Sequence, residues 1–320
     1  MKEEFIVSND FLNQRLDKFC TEISPSSYSR ASIQEAIKLG KILVNNQIKK
    51  QNYKLKKNDV VSFEYEKNDT TEKEILPENI NLDVIYEDDS ILAINKDPGI
   101  IVHPAGNVWK GTIVNSLKYN YDFTDDFDDE KRPGIVHRLD KDTSGILLIA
   151  KNPKVREILS KQFKDRVTDK YYLAITKGKI KNSKGIINKP IGRNPNQRHK
   201  MAIIGGAKES VTKYKVLKSF KENYNLLWLK ILTGRTHQIR VHMKYIKSPI
   251  IGDFVYNSKT VGEKEAYRQM LHAAKISFFH PITNERMTLI APLKDDFKRV
   301  INNLYKWGFV YENTWTYYYL

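Results

Sequence analysis

The chain has 320 residues, 40% hydrophobic and 29% charged, a composition that can build a core and excludes a wholly disordered or fibrous protein. No run approaches the roughly 18 apolar residues of a membrane span, the start Met1-Lys2-Glu3-Glu4 lacks a signal-peptide layout, and the single cysteine, Cys20, excludes a disulfide framework or multi-cysteine zinc site, so a cytoplasmic protein is expected. The net charge of +16 is uneven: residues 1–66 hold 11 basic and 9 acidic side chains, 67–130 hold 5 and 15, and 131–320 hold 38 and 14.

Two units are expected from the length. Leu12, Leu16, Phe19 and Cys20 predict a helix over residues 12–22. A second helix follows a hydroxyl cap at Ser29 to Ser32, carries Ile33, Ala36 and Ile37, and stops at Gly40. Strands at Ile42 to Val44 and Val60 to Tyr65, with a turn at Asn45-Asn46 and basic Lys49 and Lys50 between them, complete a small α/β unit over 1–66. Residues 67–80 are polar and contain Pro77, as a linker would. The remainder, 81–320, reads as strands at 84–86, 91–95, 145–150, 171–176, 201–204, 210–217, 226–232 and 275–279, with helices at 153–164, 237–245 and 294–307. Strands and helices do not strictly alternate, which predicts an α+β domain built on a large mixed, mainly antiparallel sheet. The carboxylate-rich stretch Asp122 to Glu130 reads as a solvated loop, Gly205-Gly206 as a turn, and the aromatic Trp315 to Leu320 as a segment buried against the core.

The C-terminal excess of Lys and Arg is interleaved with Tyr, Phe and Trp, a mixture that neutralises phosphates and stacks on bases, so nucleic acid is the expected partner. The densest chemistry lies in Gly134-Ile-Val-His137-Arg138-Leu139-Asp140-Lys141-Asp142-Thr143-Ser144-Gly145. Alone, Asp140 could cap a turn through Thr143 or Ser144. His237 and His242 lie five apart, not at the three or four residue spacing of paired helical ligands, so no metal is expected.

The string from His137 to Gly145 resembles the His-Arg-Leu-Asp-x-x-Thr-Ser-Gly signature of the RluA family of RNA pseudouridine synthases at every fixed position. Asn95-Lys96-Asp97-Pro98-Gly99 with His103-Pro104, Lys170-Tyr171-Tyr172-Leu173-Ala174, Thr233-Gly234-Arg235-Thr236-His237-Gln238-Ile239-Arg240, Gly252-Asp253 and Leu271-His272-Ala273 are similar to further landmarks in the same order, with Asp97 where proline is usual. More weakly, Arg15-Leu16-Asp17, Ser29-Arg30 and Val44-Asn45 resemble the small RNA-binding domain named after the fourth protein of the small ribosomal subunit. The pair resembles the ribosomal RNA branch of the family.

The resemblance implies an isomerase that needs no cofactor: it breaks the bond between ribose and uracil nitrogen one, turns the base and rejoins it through carbon five. Asp140 is implied as the carboxylate at the anomeric carbon, as nucleophile or as base in a glycal route. A cation must keep such an acid ionised. Arg235 is expected in that role by motif position; Arg240 competes, but on a helix it would point elsewhere. Tyr172 is expected against the uracil face, Arg138 to fill the gap left by the flipped base, and His137 to brace the loop at the RNA surface. Arg15, Arg30, Lys49 and Lys50 are expected to contact RNA from the N-terminal unit. The expected substrate is structured RNA, foremost large-subunit ribosomal RNA, handled by a monomer without an obligatory protein partner or a membrane. The alternatives are the same reaction on tRNA, or a non-catalytic RNA-binding or ribosome-assembly protein.

Overall fold

The structure is a computed structural model that describes residues 2–24, 30–64, 75–106, 108–121 and 132–305. The chain divides between Glu74 and Ile75. The expectations for Ser29, residues 67–74, the acidic stretch 122–130 and the aromatic 315–320 lie outside the described residues.

In the N-terminal unit, β1 (Lys2–Ile6), α1 (Leu16–Ile23), α2 (Arg30–Lys38), β2 (Ile42–Val44) and β3 (Val60–Glu64) form a three-stranded antiparallel sheet, in the order β1-β3-β2, and two helices. Leu16, Phe19, Ile33, Ile37, Val44 and Phe63 make its core. The first helix begins four residues later than its apolar spacing predicts, because Asn13 takes a left-handed φ of 59° and breaks the run; Leu12 is left outside, 41% exposed. β1 was not foreseen, since Lys2, Glu3 and Glu4 give it no apolar alternation.

The second unit starts inside the expected linker. Ile75 is buried with Leu92 and Val114, the Asn115 side chain donates to the Leu76 carbonyl, and Glu78 accepts from the Gly111 amide. Its elements are β4 (Val84–Glu87), β5 (Ile91–Lys96), α3 (Ile113–Asn120), β6 (Ser144–Ala150), α4 (Pro153–Lys164), β7 (Asp169–Lys177), β8 (Lys184–Asn188), β9 (Ile191–Arg193), β10 (Met201–Ile203), β11 (Val211–Ser219), β12 (Tyr224–Ile231), α5 (Gln238–Tyr245), β13 (Leu271–Phe279), β14 (Arg286–Ile290) and α6 (Asp295–Leu304). The spacing did not reveal α3. Its start is a capping box in which Asn115, rather than the commoner Glu or Gln, answers Thr112.

Nine strands form one sheet in the order β4-β5-β6-β13-β7-β12-β11-β8, with β14 beside β13; β9 and β10 form a separate hairpin. Every pairing in the large sheet is antiparallel except β6 with β13, which meet in parallel only at Ser144 and Gly145. There β13 exchanges neighbours, pairing β6 at its start and β14 farther on. The crossing is tight: Gly145 has φ 110°, and a Cβ there would overlap the Ala273 backbone. The segment 137–143 therefore enters the sheet where its two halves part.

Candidate active site

Asp140 lies just before that crossing, at the wall of a cleft of about 490 Å³. Its carboxylate is 19% exposed and accepts one hydrogen bond, from Arg240 Nη1 to Oδ2 at 3.0 Å; His237 Nε2 stands 4.0 Å from the same oxygen. The partner of the acid is thus Arg240 and not Arg235. Arg235 instead donates Nε to the Glu209 carbonyl at 2.9 Å. The reason lies in the start of α5. His237 precedes the helix with a left-handed φ of 55°, and helical side chains lean toward the N-terminus. Arg240, in the first turn, consequently reaches back to Asp140, while Arg235 stands on the far side of the bend.

Arg240 is shared. Its Nε and Nη2 donate to Asp253 at 2.7 and 2.9 Å, and Asp253 Oδ1 also accepts from the Val255 and Tyr256 amides. Burial opposes the Arg240 charge, yet hydrogen bonds and the fields of Asp253 and Asp140 hold the guanidinium more firmly protonated than usual. One fork orients the arginine and leaves Nη1 for the acid. Asp253 was visible in the sequence only as a landmark, since nothing there shows which side chain it meets.

The turn after Asp140 is fixed from behind by two buried cations. Lys96, 1% exposed, donates to the carbonyls of Asp97, Ile100 and Lys141 at 2.6 to 2.9 Å. Burial, then repulsion from Arg268, lowers its pKa to about 7. Arg268 donates to the Asp142 carbonyl and to Ser144 Oγ, and is itself held by Asp296 of α6. Gln269 holds Thr143 Oγ1, and Ser144 Oγ meets His272 Nδ1 at 2.9 Å. The hydroxyls of Thr143 and Ser144 thus anchor the turn to the sheet and do not cap Asp140; the local bond is the Thr143 amide to the Asp140 carbonyl.

Tyr172 stands on β7, 8% exposed, and lines the same cleft. Burial, then the Asp140 charge, pushes its phenol above the ordinary range, so it carries its proton at neutral pH. His137 lines the cleft and braces its loop: its Nε2 accepts from the Leu148 amide at 2.9 Å, which places the ring proton on Nδ1, and its ring stacks on Phe163. Burial lowers its pKa to about 3, so it is a brace and not a proton carrier. Arg138 is exposed at the mouth of the cleft. Among the described residues, no group of three or more His, Cys, Asp and Glu could hold a metal.

In the N-terminal unit, Arg15, Lys49 and Lys50 line one cleft with Gln34 and Lys38. Arg30 joins Arg15 on the buried Asp17.

The chain matches the RNA pseudouridylate synthase family over residues 90–245 and the S4 domain over 14–61. It is 37% identical to an uncharacterized RNA pseudouridine synthase, YlyB, of Bacillus subtilis, over 95% of this chain and 99% of that protein. The ribosomal large subunit pseudouridine synthase D of Blochmanniella floridana is 38% identical, over 92% and 95%. Among solved structures, human RNA pseudouridylate synthase domain containing 1 superposes with a TM-score of 0.55 at 30% identity, covering 66% of this chain and 83% of that one. The chain belongs to the RNA pseudouridine synthase family, with an S4 domain at its N-terminal side. It is accordingly an isomerase acting on RNA.

Proposed function

We propose that the protein converts specific uridines of large-subunit ribosomal RNA to pseudouridine, with Asp140 as the carboxylate at the anomeric carbon. The observation that carries the assignment is an acid with only one hydrogen bond, opening on a cleft whose other charged lining side chains are all basic: Arg138, Lys164, Arg166, Lys170, Arg235 and Arg240. A polyanion is drawn to such a cleft, and the Arg240 guanidinium stands against the acid inside it. Asp140 then answers the positive charge that ribose gathers as its bond to uracil nitrogen one breaks, either by bonding carbon one or by taking a ribose proton. Arg240, shared with Asp253, holds the carboxylate in place. The protonated Tyr172 supports the turned uracil ring, and its hydroxyl guides the proton leaving carbon five. Arg138, exposed at the mouth, fills the stack vacated by the flipped base.

The ribosomal target rests on relatives named for the large subunit and on the basic cleft of the S4 unit; the protein is read as a cytoplasmic monomer. The test is to incubate the full chain with large-subunit rRNA transcript and with tRNA, and to map pseudouridine chemically. Modification at discrete ribosomal uridines supports the reading, and modification of tRNA alone overturns the target while leaving the reaction.

A further inference from the structure

A half-buried cation in the cleft, Lys170, has no counterion among the described residues. Lys170 stands two residues before Tyr172 on β7, so the two side chains leave the same face of the sheet. Its ammonium lies 5.2 Å from the centre of the Phe163 ring and makes no hydrogen bond or ion pair with a described residue. Burial alone lowers its pKa, to about 8. An ammonium taken from water without a partner is costly unless a ligand supplies the missing charge.

The surroundings say which ligand. Arg166 donates Nη2 to the Glu209 carboxylate at 2.8 Å while Arg235 donates Nε to the Glu209 carbonyl, which gathers both guanidinia at one residue. The Nη groups of Arg235 have no bonded partner among the described residues. Gly234, next to Arg235 in the chain, lines the same cleft, and a Cβ built on it would lie 4.0 Å from Lys170 Nζ.

We propose that Lys170, with the free end of Arg235 on the same cleft, is the seat of a backbone phosphate of the RNA next to the flipped uridine. This rests on reading the cleft as the RNA site. A phosphate there fixes the ribose relative to Asp140 through the RNA backbone itself.

The experiment uses the full chain and a fragment of the RNA in which modification has been mapped, made with single neutral methylphosphonate linkages at successive positions flanking the target uridine. With wild-type protein one linkage lowers kcat/KM about tenfold or more. Lys170→Met shows a similar loss on all-phosphate RNA, expressed in KM, and is indifferent to that linkage. Lys170→Arg, which keeps the charge, keeps the sensitivity, so loss of charge is told apart from misfolding. In Asp140→Asn protein, adding Lys170→Met lowers the salt slope of RNA binding by about one. Equal sensitivity of the Met variant to every linkage, or a fall in kcat at unchanged KM, overturns the proposal, the latter by assigning the ammonium to the base. If wild-type protein modifies no ribosomal RNA, only the target reading fails, and the linkages are placed in whichever RNA is modified.

Discussion

Among the carboxylates that arginine holds in the described residues, Asp17 and Asp140 are held in opposite ways. Asp17 of the N-terminal unit is wholly buried and takes four hydrogen bonds, two from Arg15 and one each from Arg30 and Gln34. Burial raises its pKa, but these donors more than offset that and hold it well below the usual carboxylate range. Buried under these donors, it is closed to a substrate. Asp140 takes one hydrogen bond from an arginine whose charge is already shared with Asp253, and its carboxylate opens on a cleft. Asp17 is buried under its donors; Asp140, the acid proposed to react, is held in place and left open to the cleft.

The largest expected effect breaks the reactive member of the pair. Asp140→Asn should lower pseudouridine formation by at least about 10³-fold, or about 4 kcal/mol, with RNA binding and the unfolding midpoint near those of wild type; turnover close to wild type would remove the acid from its role. Arg240→Met leaves the buried Asp253 unpaired, so it should cost about 3 kcal/mol of stability and about 10²-fold in kcat. Arg235→Met, measured beside it, should lose less than about tenfold, in KM. A larger fall in kcat for the Arg235 variant would reverse the assignment of the two arginines.

The two units should also part in their response to acid. His272, wholly buried against Ser144, has its pKa lowered to about 4 chiefly by burial. Its unfolded form therefore binds a proton that the folded form refuses between about pH 6.5 and 4, and stability must fall as pH drops through that window, by about 2 to 3 kcal/mol at most. Residues 1–74 contain no histidine, so urea unfolding followed over this range should weaken the second unit and spare the first; a His272→Gln protein should show a flatter profile. Asp17→Ala should destabilise the N-terminal unit by about 1 to 2 kcal/mol, because Arg15 and Arg30 are half-exposed and can return to water. Its kcat at saturating RNA should be unchanged. Smallest of all, Lys96→Met should lower kcat about tenfold or less without moving KM, as the turn after Asp140 loosens.

Much of this was legible in the chain. The strands at Ile91, Gly145 and Leu226 announce themselves as apolar runs, and the His137 to Gly145 string marks the reactive loop because an acid, cations and hydroxyls crowd a few residues that packing alone does not call for. Less was visible where the signal was weak or local rules were broken: β1 is charged, α3 is capped by an unusual partner, and the helix expected from Leu12 is cut short at Asn13. How His137 braces its loop is equally hidden, because the backbone amide that takes up its nitrogen lies eleven residues ahead, and no spacing shows that.

By itself the sequence determined which groups are available: the acid, the arginines at 235 and 240, the tyrosine, the lysines, and the apolar periodicities that make two units with a large antiparallel sheet. Only the tertiary structure decided how they meet. Arg240 lies 100 positions from Asp140 in the chain and touches it because a left-handed residue turns α5 back toward the crossing of β6 and β13. Such long-range pairing is set by backbone geometry and packing summed over the whole sheet, and one-dimensional spacing does not encode the direction in which a side chain leaves the first turn of a helix.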